Sequence, residues 1–187
     1  MVTLISRHSK YSPNSEARDE ALFRSLVMNF ALQGISIATF DEAVFEHRPP
    51  QLKKSTLILS MARSEAALHA LSAAEESGVP VLNSPRALQK AQRTDFQQWF
   101  AESGHAAKHW HISTLTPDIK ARLSFPLWWK RNNTATTSAN DVQFVENRTQ
   151  LDVLLQQYPQ EDALLMEHID GQLIKFYGVV GTNFFHA

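Results

Sequence analysis

Four short apolar runs, separated by segments of helical period, occupy the first 84 residues of this 187-residue chain. Residues 2–6 (Val-Thr-Leu-Ile-Ser) are β-rich and too few for a helix, which predicts a buried strand. Leu22, Phe23, Leu26, Val27 and Phe30 then recur at helical spacing over residues 15–32, and Gln33-Gly34 supplies a stop. Residues 35–40 and 55–61 read as further strands, the latter apolar enough to be covered on both faces. Ser64 is placed to cap a helix carrying Ala67, Leu68, Leu71 and Ala74, Gly78 closes it, and residues 79–82 form a fourth strand. The order β-α-β-β-α-β with short connections predicts a mainly parallel sheet between helices.

The next unit opens at Asn83-Ser84-Pro85, with Ser84 as N-cap and Pro85 at the first helical position. One helix is expected to about residue 103, with Leu88, Ala91, Trp99 and Phe100 inward. The pattern then changes. Residues 109–115, 125–131 and 141–146 read as strands joined without helices. Asn147 and Gln150 resemble a capping box opening a helix to Tyr158. Residues 163–169 and 173–180 read as two strands, with Asp170-Gly171 as their hairpin turn. This half is α+β with an antiparallel sheet, and the expected domains are residues 1–84 and 85–187.

Composition narrows the function classes. At 43% hydrophobic and 20% charged, the chain can bury a core. Its net charge of −1 argues against a nucleic-acid partner. It has no cysteine, which removes disulfides, thiolate nucleophiles and cysteine-based metal sites and suits the cytoplasm. No run approaches the roughly 18 apolar residues of a membrane span. His105, His109 and His111 are close in sequence, but no carboxylate completes a ligand set by spacing, so no metal site is expected.

Four segments in order carry a family resemblance: Val79-Pro80-Val81-Leu82-Asn83-Ser84-Pro85 before a helix, Phe125-Pro126-Leu127-Trp128-Trp129-Lys130, Leu164-Leu165-Met166-Glu167-His168-Ile169-Asp170-Gly171, and Leu173-Ile174-Lys175-Phe176-Tyr177-Gly178. Together they resemble the ATP-grasp superfamily over nearly the whole chain. The resemblance implies an α/β fold: a Rossmann-like parallel-sheet domain followed by an incomplete α+β ATP-grasp lobe. ATP is the implied ligand, and its triphosphate calls for fixed cations.

The resemblance assigns Lys130 to the α- and β-phosphates; read from spacing alone, it is also a surface lysine at a strand end. Arg93 aligns with a phosphate-binding lysine, with Lys90 one turn away as the alternative and an exposed helix charge as the plain reading. Glu167, His168 and Ile169 match the hinge whose backbone reads adenine, while Met166 reads equally as core. Lys175, a lone charge on an apolar strand, needs a partner, either an anionic ligand or an ion pair with Glu167 across the hairpin.

There are departures from the family. The loop over the phosphates, residues 132–140, is polar and expected to be mobile, but it contains no glycine. Gln172 and Leu173 stand where many members hold the ribose with an acid. The acid and Glu-x-Asn motif that bind magnesium lie beyond the equivalent of Ala187, so Mg2+ is expected only in a complete protein and no catalytic residue is assigned here. The leading expectation is the ATP-binding portion of a carboxylate–amine ligase, inactive alone, whose complete form takes a small carboxylate substrate. The alternatives are an inositol-phosphate-type kinase, for which Lys53-Lys54 is the one evident cation pair in the first domain, and a non-catalytic module for nucleotide or a partner. An uncovered sheet edge further predicts self-association as a homo-oligomer.

Overall fold

Residues 2–82 build a sheet in which every neighbouring pair of strands is parallel. The computed structural model describes residues 1–13, 15–132, 137–159, 161–179 and 181–187. The strands β1 (Val2–Ser6), β2 (Ile37–Asp41), β3 (Leu57–Ser60) and β4 (Val81–Leu82) lie in the order β2-β1-β3-β4. Val2 pairs with both Ile37 and Leu57, and Ile58 with Val81. Helix α1 (Glu16–Leu32) joins β1 to β2, and α2 (Glu65–Glu76) joins β3 to β4. The expected start of α2 is present: Ser64 Oγ accepts the Ala67 N–H at 3.3 Å. Ala67, Leu68, Leu71 and Ala74 are buried with Ile5, Ile58 and Val81, and Gly78 ends the unit at φ 89°.

The other face is more thinly covered than expected. Phe23, Leu26, Val27 and Phe30 of α1 are half-buried, but Leu22 is 53% exposed and no α1 residue is fully buried. In β3 only Ile58 and Ser60 are buried, while Leu57 and Leu59 stay half-open, so this strand is fully covered on one face alone.

Glu42 organises the edge where the parallel strands end. It is 1% exposed, and its carboxylate accepts the N–H groups of His8 at 2.9 Å and Arg63 at 2.6 Å, and also that of Ser64. One buried acid thus ties together the loops after β1, β2 and β3, and backbone donors satisfy the charge.

The helix expected over residues 85–103 is two helices, α3 (Pro85–Lys90) and α4 (Arg93–Glu102). Gln92 between them is extended (φ −57°, ψ 145°), and the Thr94 N–H turns to Asn132 Oδ1 at 3.0 Å. This tertiary tie restarts the helix at Arg93 and shifts its face. Trp99 is 62% exposed and Ala91 is exposed rather than inward, whereas Leu88 and Phe100 are half-buried.

The second sheet joins β5 (His109–His111), β6 (Leu127–Arg131), β7 (Val142–Val145) and β8 (Ala163–Glu167), antiparallel in the order β5-β8-β6-β7. A short helix, α5 (Pro117–Ala121), capped by Thr116 Oγ1, interrupts the expected strand-to-strand run. Helix α6 (Arg148–Gln157) shares a core with Leu127, Trp129, Val145, Ala163 and Leu165 through Leu151 and Leu154. Trp129 stacks on Tyr158 with ring centroids 5.3 Å apart. Asn147 Oδ1 caps α6 by accepting the Gln150 N–H, and Gln150 Oε1 accepts from Glu146 rather than from the cap residue itself.

The hairpin expected at Asp170-Gly171 is absent. Strand β8 already has β5 and β6 on its two sides, so no edge is free for a following strand. The chain instead forms a separate ribbon, β9 (Tyr177–Gly178) with β10 (Phe185–His186), turning at Gly181 (φ 79°). Leu173, Phe176, Phe184 and Phe185 around it are exposed.

Of the glycine-free loop, residues 133–136 lie outside the described residues. Thr137 and Ser138 are held by the fully buried Asp141, whose Oδ2 accepts their N–H groups at 2.6 and 3.1 Å. Among the described residues no helix is long and apolar enough to cross a membrane.

Candidate functional site

Strand alternation divides β6 between two faces. Leu127 and Trp129 enter the core, so Trp128 and Lys130 face the other way. Beside them on that face are Val142 and Phe144 of β7 and Leu164 and Met166 of β8, directly opposite in register. His168 continues the line just past β8. Its N–H donates to the Pro126 carbonyl at 3.3 Å, its Nδ1 accepts the Trp128 indole N–H at 3.1 Å, and its ring meets Phe144 edge-on. With Nδ1 accepting, Nε2 carries the proton and donates to Asp170 Oδ1 at 2.9 Å. Lys130 and His168 therefore share one face, with Trp128, Leu164 and Met166 between them. Lys130 lies opposite Leu164 and His168 opposite Pro126, four positions along the strand, which is roughly 13 Å.

Lys130 is half-buried, and among the described residues its ammonium group makes no hydrogen bond or ion pair. Burial pushes its pKa down, and the nearby Arg93 guanidinium pushes it further. Arg93 opens α4 and donates from Nη1 to the Arg131 carbonyl. Burial lowers its pKa as well, with Asp141 opposing. Asp141 does not neutralise the pair alone, because its carboxylate is bonded to Arg131 Nη1 at 2.8 Å and to the loop N–H groups. Two partly desolvated cations thus stand together, an arrangement suited to an anion. Lys90, the alternative to Arg93, is exposed at the end of α3.

The sequence did not single out Thr94 and Gln97. Thr94 Oγ1 and Gln97 Oε1 are buried and, among the described residues, have no hydrogen-bond partner; they lie one turn apart on α4 beside Arg93. Polar residues in a helix read as surface, and the ties of Arg93 to the Arg131 carbonyl and of Thr94 to Asn132 fix which side of α4 faces inward.

The segment 167–169 has an unusual backbone. The Glu167 N–H donates to the Lys108 carbonyl at 2.9 Å. The Lys108 N–H in turn donates to the Glu167 carboxylate at 2.9 Å, taking the bond that the Glu167 carbonyl would otherwise receive. Ile169 is 66% exposed, and its N–H has no partner among the described residues. Lys175 stands apart on an exposed irregular stretch, and of its two alternatives the ion pair with Glu167 does not form. His111 bonds to Asp162 and Ser113, and His109 to the Ala107 carbonyl. Among the described residues no three His, Cys, Asp or Glu side chains are grouped to hold a metal ion.

At the edge marked by Glu42 lies a pocket of about 460 Å³ between β1, β2 and α1. Arg7 pairs there with Asp19 at 2.9 Å, near Glu16 and Asp41.

A D-alanine–D-alanine ligase from Bacillus anthracis is similar over 91% of this chain and 58% of its own, at TM-score 0.66 and 14% identity. The chain has the ATP-grasp fold. An ATP-grasp RimK domain protein from Sphaerobacter thermophilus aligns over 91% of this chain and 64% of its own, at TM-score 0.66 and 14% identity. The Bacillus ligase complexed with ATP gives TM-score 0.65 at 13% identity, covering 91% and 57%. The chain thus spans less than two thirds of the length of these ATP-grasp structures. No family model and no curated protein sequence matches it.

Proposed function

We propose that this chain is the ATP-binding portion of a carboxylate–amine ligase-like protein, with residues 1–84 and 85–187 as its two domains. The observation that carries the reading is the pair of partly desolvated cations, Lys130 on the sheet face that also bears the segment 167–169 and Arg93 beside it at the start of α4, with Asp141 offsetting only part of their charge. In this reading Lys130 and Arg93 hold the inner phosphates. The Glu167 carbonyl accepts the adenine amino group, the Ile169 N–H donates to the ring, and Trp128 and Met166 line the slot. Lys175 contributes a cation from outside this group. The separation of Lys130 and His168 along the strand suits an extended adenosine with its first phosphates. In the complete protein, ATP would phosphorylate a small carboxylate, with Mg2+ supplied there, and an amine would then displace phosphate. Placement in the cytoplasm and self-association through the exposed apolar ribbon belong to the same proposal.

A backbone carbonyl and N–H in this order match adenine and mismatch guanine, which presents an acceptor and a donor reversed. Calorimetric titration should therefore show ATP binding about tenfold more tightly than GTP. Equal affinities would remove the hinge role, and no heat with either nucleotide would remove the site.

A further inference from the structure

The Lys53-Lys54 pair has a setting that a polyphosphate site would not have. It closes a 3₁₀ turn, Leu52–Lys54, just before β3 and therefore at the sheet edge opposite Glu42 and Arg63. Across from it, α2 presents the methyl groups of Ala70, Ala73 and Ala74, and the space between is a pocket of about 520 Å³, within the size range of small-molecule sites. Leu52 and Ala74 are buried in the core of the first sheet, so the floor is apolar. Lys53 and Lys54 are exposed at the rim, and among the described residues neither ammonium group makes a hydrogen bond or an ion pair.

A polyphosphate needs donors around several oxygens. A wall of methyl groups needs apolar surface to cover it, and two free ammonium groups need one anionic head. We infer that this pocket binds a small amphiphilic carboxylate, its apolar tail against Leu52, Ala70, Ala73 and Ala74 and its carboxylate between Lys53 and Lys54. The site is separate from the nucleotide slot and does not rest on it.

Octanoate is the probe, read by amide chemical shifts of the whole chain, with octylammonium as the control. Octanoate should give saturable shifts centred on residues 50–54 and 70–74, and octylammonium should not. The double change Lys53→Gln, Lys54→Gln should weaken octanoate binding about tenfold, from two exposed charge contacts. Ala73→Phe, at an exposed helix position, should fill the pocket and abolish the shifts. Absent saturable shifts, equal response to both probes, shifts confined to residues 173–185, or unchanged binding in both variants would each overturn the assignment.

Discussion

Lys130→Met should weaken ATP binding about 10- to 100-fold and raise the melting temperature of the nucleotide-free chain. The first effect is the loss of a charge-assisted contact to phosphate, about 1.5–3 kcal/mol. The second follows from the direction of the Lys130 pKa, which lies below the usual lysine value because of burial and then Arg93. Between that lowered value and the ordinary lysine range, the unfolded chain binds more protons than the folded one. Stability contributed by this group is therefore gained as pH rises through the window and lost as pH falls through the folded pKa. At neutral pH the ammonium is held at a cost, which a methionine of similar shape removes. Bound triphosphate should cancel the same cost, so ATP should flatten the alkaline rise in stability. Scanning calorimetry and titration on one pair of proteins check both halves. Unchanged ATP affinity, or a lower melting temperature in the variant, would show that Lys130 is an ordinary strand lysine.

Asp141→Ala should cost about 3 kcal/mol of unfolding free energy, at the lower end for breaking a buried pair, because Glu161 remains beside Arg131. The carboxylate is fully buried and receives Arg131 and the Thr137 and Ser138 N–H groups. Its removal leaves the Arg131 guanidinium with Glu161 alone and loosens the return from β6 to β7, next to Lys130. Urea unfolding of both proteins measures this, and a loss under about 1 kcal/mol would mean that Glu161 compensates fully.

The features of this fold that were legible in the sequence are those set by local chemistry. Short apolar runs with helices between them, Ser64 before an alanine-rich face and Gly78 after it are sufficient to give the parallel sheet. What remained hidden depends on partners distant in sequence. No glycine or proline marks the break at Ala91-Gln92, because Asn132 makes it. Asp170-Gly171 is a strong local turn signal, yet the two neighbours of β8 deny it a strand to pair with. Glu42 looks like a surface acid until two loops distant in sequence converge on its carboxylate through three backbone N–H groups. Within the candidate site, a lysine after two tryptophans was readable as out of place. The inward Thr94 and Gln97 were not, since their burial is a tertiary consequence.

The most direct test of the slot is photolabelling with azido-ATP carrying its reactive group on the adenine, followed by peptide mapping. The slot predicts label within residues 163–169, suppressed by excess ATP and reduced in Lys130→Met. Label scattered over residues 1–84, or indifferent to competing ATP, would contradict a nucleotide lying along Trp128 between Lys130 and His168.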